Sequence, residues 1–258
     1  MTTAKVNVPY TELLKEAVNK PGVLSNCYSK FHQYSIGNQI WAWLQSLERK
    51  IDLSPIATYK QWQALGRQVK KGEQAIYLTL PIVIDEKDAN GNKTGKQKRL
   101  FVPKKNWFYL SQTEGDDYVA QTKFAEWDKV KALSALDVVE VPFNNANGNV
   151  QGYASGRTIA INPIAALPHK TTFHEIAHVI LGHTTESVFT DSELTPKDIK
   201  EVEAESVAYI LCQILGLEGE VESRGYIQHW LNGQTIDDKS AKRIFSAADK
   251  ILKAGSDK

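Results

Sequence analysis

Residues 174–183 read HEIAHVILGH. On an α-helix, side chains four apart leave nearly the same face, so His174 and His178 can offer imidazole nitrogens to one ion. Glu175 lies one residue further round, placed to reach a water polarised by that ion rather than the ion itself. The spacing thus supplies two ligands and a general base, which takes a proton from the attacking water and returns it to a leaving amine. Phe173, Ile176, Ala177, Val179, Ile180 and Leu181 make the segment apolar on most sides and predict a buried helix. Buried imidazoles and carboxylates need partners, and a metal would supply one for all three.

Two histidines leave the site incomplete. The extended line H-E-x-x-H-x-x-G-x-x-H would need Gly and His where the chain has Leu181 and Thr184. His183 follows Gly182, which should end the helix. His183 is therefore read as a surface residue or a support for the ligands, a bystander to the ion. A better source is IKEVEAESVAYILCQILGL at 199–217, where Glu201 and Glu205 share a helical face with Ala204 and Ala208. Glu203 points roughly the opposite way. One of Glu201 and Glu205 should bind the metal and the other should accept a hydrogen bond from a ligand histidine. Glu201 is favoured as the ligand, and the expected ion is Zn2+, with Mn2+ as an alternative divalent metal.

The elements that must hold these residues can be read from spacing and punctuation. Apolar periodicity predicts helices at 10–20, 35–50, 170–182, 196–216 and 239–253. A short helix within 58–74 should end at Gly66, followed by a basic turn at Gly72. The β-branched run AIYLTLPIVI (75–84) predicts a strand, DEKDANGNKTGKQK (85–98) a polar hairpin loop, and RLFVP and NWFYLS two further strands. Residues 141–162 should form a hairpin with Asn/Gly-rich turns. The fold class is α+β in two consecutive modules, 1–125 and 126–258.

The charge pattern follows the same division. Residues 1–125 hold 18 Lys/Arg against 11 Asp/Glu, a net of +7, and 126–258 hold 13 against 19, a net of −6. The basic half suits a polyanion. No apolar run approaches the roughly 18–20 residues of a membrane span. The N-terminus lacks the apolar core of a signal peptide, so a cytoplasmic protein without a membrane partner is expected. Cys27 and Cys212 are far apart and outside any pair motif, as reduced structural thiols would be.

HEIAHVILGH followed by EVEAESVAYILC resembles the minimal zincin domains of ImmA/IrrE and ArdC-like metallopeptidases, whose third ligand is a glutamate in the next helix. GRTIAINP just before the motif fits a zincin strand edge that holds an extended peptide. SRGYIQHW (223–230) is similar to a G-Y-x-x-x-W stretch of ArdC-like members, which implies a catalytic role for Tyr226 as a hydrogen-bond donor to the transition state. SIGNQIWAW, TYKQWQALGRQVKKGEQAIYLTLP and FYLSQTEG resemble, in the same order, the N-terminal domain of ArdC-type antirestriction proteins, which binds single-stranded DNA. Residues 85–98 depart from that pattern.

Basic grooves with aromatic faces bind single strands. Candidates are Lys60, Arg67, Lys70 and Lys71 around Trp62, with Asn38 and Gln39 as hydrogen-bonding groups. Trp41, Trp43 and Trp107 are assigned to the core. The resemblance implies an antirestriction protein of a plasmid or other mobile element, acting on an unknown protein substrate. Two alternatives remain: a regulatory protease that cleaves a repressor, and a non-enzymatic single-strand binder whose metal is structural.

Overall fold

Turn-forming glycines and prolines punctuate a chain whose elements are mostly short. The structure is a computed structural model that describes residues 7–89, 91–120, 125–145, 149–184, 197–232 and 236–256. In chain order it runs α1 (Tyr10–Asn19), α2 (Val23–Phe31), α3 (Ile36–Arg49), β1 (Ile56–Thr58), α4 (Tyr59–Ala64), β2 (Arg67–Val69), β3 (Ile76–Lys87), β4 (Lys93–Tyr109) and β5 (Thr113–Gly115). It continues with α5 (Lys129–Leu136), β6 (Val139–Glu140), β7 (Gly152–Ser155), β8 (Thr158–Ile161), α6 (Pro168–Leu181), α7 (Lys197–Leu215), α8 (Glu220–Asn232) and α9 (Asp238–Gly255). The class is α+β.

The chain packs as two compact units, one from Met1–Val8 and Trp41–Gln121, the other from Pro9–Ile40 and Thr122–Lys258. Packing therefore does not follow a single cut at 125. Helices α1 and α2 join the second unit, and the division falls inside α3. The reason is visible in α1, whose Leu13, Leu14, Ala17 and Val18 are buried, and in its contacts with α8 and α9. An apolar helix face goes where it is covered, whatever the charge of its neighbours in sequence.

In the first unit, β4 is the central strand of the sheet β1-β4-β3, antiparallel to both neighbours. Trp41 and Trp107 are buried here, with Trp41 stacked on Tyr77. The expected loop at 85–98 is instead largely strand. β3 runs on to Lys87 and β4 starts at Lys93, so RLFVP and NWFYLS belong to one long strand. Cross-strand pairing, with a register shift between Asp85 and Lys87, supplies order that polar composition did not suggest.

In the second unit, α6 packs against α7 and α9, and the mixed sheet β6-β8-β7 lies against α6. β7 and β8 form the expected hairpin, but it turns at Gly156 (φ 55°). Helices α2, α5 and α8 were not foreseen. Cys27 and Cys212 are buried, and burial pushes the Cys212 thiol up to about 12. Among the described residues no helix is long and apolar enough to cross a membrane.

Asp249 on α9 accepts the Ile36 backbone N–H at 3.0 Å. Burial raises its pKa from 3.8 to about 6, against the opposing pull of Lys253. The folded carboxyl keeps its proton where the unfolded one loses it, so its contribution to stability is present below about pH 4 and lost as pH rises through about 6. Asp249→Asn keeps the acceptor and removes the titration. Urea unfolding of the variant should gain about 3 kcal/mol on wild type between pH 4 and 6; curves that stay parallel would contradict this assignment.

Candidate metal centre

Helix α6 opens with Pro168, whose missing N–H costs nothing in the first turn, and closes at Gly182 in the left-handed region (φ 77°). Its apolar side is buried by Phe173, Ile176, Ala177 and Val179. That orientation carries His174 and His178 to the rim of a cleft, where Glu201 of α7 meets them. His174 Nε2 and His178 Nε2 are 3.0 Å apart. Glu201 Oε2 lies 3.4 Å from the first and 3.6 Å from the second. These three side chains are the one group among the described residues whose donor atoms converge as a metal site requires. Tetrahedral donors at 2.0–2.2 Å stand roughly 3.3–3.6 Å from one another. The triangle therefore fits a divalent cation with a small opening of its His–His edge.

Glu205, one turn beyond Glu201, takes a different place. Its Oε2 faces His174 Nδ1 at 3.2 Å and its Oε1 pairs with Lys170 at 2.8 Å. Burial opposes its charge, yet hydrogen bonds from His174, Lys170 and Ser223 outweigh burial and bring it down to about 2. Hydrogen bonds from His174 and His178 hold Glu201 far below the usual carboxylate range. Burial works against a charged His174, but Glu201 and Glu205 overcome it and raise its pKa to about 9. A cation must therefore displace a proton from His174 over most of the pH range. Glu175 is 7% exposed. Burial pushes it up against the pull of both histidines, the direction that makes a carboxylate a better proton acceptor.

Behind the ligands stand His183, read from the sequence as a surface residue or a support for the ligands, and Glu203, which was given no role. Gly182 turns the chain so that His183 folds back onto His178, with Nδ1 facing Nδ1 at 3.0 Å. His183 Nε2 meets Glu203 Oε2 at 2.9 Å, and both side chains are 1% exposed. His183 thus takes the second of its two expected places, beside a ligand histidine and not at the surface, and Glu203 points into the core. The available signal was the apolar company of Glu203, which leaves a carboxylate on that face no water to meet.

The cleft is bounded by β7, the edge strand of its sheet. A space of about 610 Å³ lies between Gly152–Ser155 and the side chains of His174, Glu175, His178 and Glu201. Gly152 makes the approach possible: a Cβ there would stand 2.7 Å from Thr171 Cγ2 and 3.1 Å from Glu175 Cγ. Tyr226 on α8 is 41% exposed. Partial burial raises its hydroxyl, and the charges of Glu201, Asp198 and Glu205 add to the rise.

The nucleic-acid candidates divide sharply. Trp62 is withdrawn as a stacking face, since it is 1% exposed and its Nε1 donates to Phe108 O at 2.9 Å. Asn38 and Gln39 are buried, and the Gln39 amide donates to Tyr34 O. Those three groups have no surface to offer a strand. The Arg67 guanidinium is spent on Thr113, Gly115 and Asp116. Lys60, Lys70 and Lys71 are exposed, and Lys70 Nζ donates to Ser111 O at 3.0 Å.

Two histidines on one buried helix, a glutamate on the next and an edge strand beside them define a zincin-like domain, here in a chain with a second α+β unit. Residues 6–108 match the family described as the N-terminal domain of anti-restriction factor ArdC, and 134–212 match the IrrE N-terminal-like domain. With both domains in this order, the chain is an ArdC-type protein. The crystal structure of metal-free antirestriction ArdC from plasmid R388 is similar over 95% of this chain and 94% of its own, at 22% identity and a TM-score of 0.53. The Mn(II)-bound structure of ArdC from R388 is similar over 95% and 97%, at 20% identity and a TM-score of 0.54. At these identities the likeness is one of fold. No curated protein sequence matches the chain.

The two glutamates should separate in metal content. Glu201→Ala should purify without stoichiometric metal, whereas Glu205→Ala should retain it with about 10–100-fold weaker affinity. Calorimetric titration with Zn2+ and Mn2+ measures both. Unchanged affinity in both variants would remove α7 from the site.

Proposed function

We propose that the chain is a DNA-associated metallopeptidase that protects the incoming DNA of a mobile element from restriction. Residues 126–258 carry hydrolysis and residues 1–125 carry the contact to single-stranded DNA. The observation behind this reading is the convergence of His174, His178 and Glu201 beside a buried Glu175 in a cleft edged by a strand. Through these three ligands, a bound divalent cation would polarise a water and a peptide carbonyl. Zinc is favoured over manganese by the affinity order for such N/O sites, and the Mn(II)-bound ArdC of R388 supports manganese as an alternative ion.

The chain's own groups would do the rest. An extended peptide pairs its backbone with the free edge of β7, which sets the scissile bond beside α6. Glu175 accepts a proton at its carboxylate and hands it to the leaving nitrogen. Tyr226 donates its hydroxyl hydrogen to the oxyanion that develops at the carbonyl. On the basic unit, Lys60, Lys70 and Lys71 bind phosphates. Lys96, Lys98 and Arg99 of the β3–β4 ribbon are exposed and offer further basic groups. Holding the peptidase on DNA raises its concentration near DNA-bound proteins.

Glu175→Gln should keep the metal and lose about 10²–10⁴-fold in cleavage rate. The same variant should fail to protect DNA transferred into a restricting host, and full protection by it would remove proteolysis from the mechanism. Lys70→Ala with Lys71→Ala should weaken single-strand binding and lower the slope of log K against log salt by about 1.4. Wild-type binding by the double variant would move the DNA site elsewhere.

A further inference from the structure

We propose that His183 and Glu203 are positioning residues that hold His178 in the one tautomer able to bind the ion. The proposal rests on the metal-centre reading above.

His178 points its Nε2 at His174 and Glu201, so that nitrogen must carry a lone pair to serve as a ligand. A neutral imidazole with a free Nε2 carries its hydrogen on Nδ1. That hydrogen meets His183 Nδ1 as its acceptor at 3.0 Å. His183 must then hold its own hydrogen on Nε2, where Glu203 Oε2 accepts it at 2.9 Å. Glu203 Oε1 accepts the hydroxyl of Ser240. Each donor in the line meets one acceptor.

The line takes its direction from Glu203. With the same two hydrogens reversed, His178 would carry its hydrogen on Nε2 and His183 on Nδ1, leaving the lone pair of His183 Nε2 against the Glu203 carboxylate. The Arg243 guanidinium, 3.5 Å from Glu203 Oε2, holds that carboxylate in place beside His183. Arg243 is itself tied to Leu181 O at 2.8 Å, on the last turn of α6. Such an outer partner both orients a metal-binding imidazole and makes it a stronger donor. His174 has its partner directly, in Glu205; His178 reaches Glu203 through a second imidazole. Three alternate glutamates of α7 thus address the same centre by three routes.

The test measures Zn2+ and Mn2+ affinity of the full chain by chelator competition, with metal-free melting temperature recorded for every variant. His183→Ala should bind metal about 10–100-fold more weakly than wild type. His183→Gln can accept from His178 with its oxygen and donate to Glu203 with its amide, so it should recover most of the loss. Glu203→Gln keeps the geometry and drops the charge, and should weaken binding about tenfold. In the zinc-loaded protein, imidazole 15N shifts should show the His178 hydrogen on Nδ1. Wild-type affinity in His183→Ala, or a Gln variant no better than Ala, would overturn the proposal. If His183→Ala does not fold, His183→Gln against Glu203→Gln carries the comparison, and equal, unweakened affinity in both would overturn it. A wild-type chain that binds neither ion would instead defeat the metal-centre reading itself.

Discussion

Four carboxylates, those of Glu175, Glu201, Glu203 and Glu205, crowd around three imidazoles at the rim and back of one cleft, with Glu201 the most exposed of them and Glu203 fully buried. Such a concentration of charge cannot persist in a folded chain without positive groups to face it. Lys170 takes Glu205 and Arg243 takes Glu203. Two negative charges are left over, beside the triangle of donors, and a divalent cation carries the complementary charge. Without the ion the raised pKa of His174 supplies part of the balance as a bound proton. The arrangement of α6, α7 and α9 is organised around this requirement: each helix delivers a charge that another helix answers.

Much of this was legible from spacing. A period of four residues placed His174 with His178 and Glu201 with Glu205, and helices obey that period wherever they are packed. What spacing could not convey was the path of the chain after a helix ends. Gly182 reverses direction, and only the three-dimensional turn shows that His183 returns to His178. The misreadings elsewhere have similar causes. Trp62 sits among polar neighbours in sequence, but α4 turns it inward against β4. Residues 85–98 are polar because both faces of their ribbon are wet, and a solvated strand looks like a loop when only composition is read. Gly225 lies inside α8, where tertiary packing overrides a local preference of about 1 kcal/mol.

The division of the chain shows the same contrast between composition and packing. Charge changes sign near residue 125, and that change describes surfaces. The buried faces follow another rule, which assigns Pro9–Ile40 to the unit that carries the metal site. The match to the ArdC N-terminal domain, at 6–108, therefore spans residues of both packing units. Sequence families record shared ancestry of a stretch, while compact units record where its apolar surface is covered, and the two need not coincide.

Gly152 has a consequence for how the cleft is built. The wall of the cleft nearest Glu175 is main chain, brought in by the absence of a single methyl group. Main chain presents the same pattern of donors and acceptors whatever residues flank it. The neighbouring side chains are engaged away from that approach, Gln151 Oε1 accepting the Ala166 N–H at 3.1 Å and the Tyr153 ring lying 5.7 Å from that of Phe143. A side chain at Gly152 would have to displace Thr171 or Glu175, so one missing methyl group sets both the spacing of strand and helix and the seat of the Glu175 carboxylate.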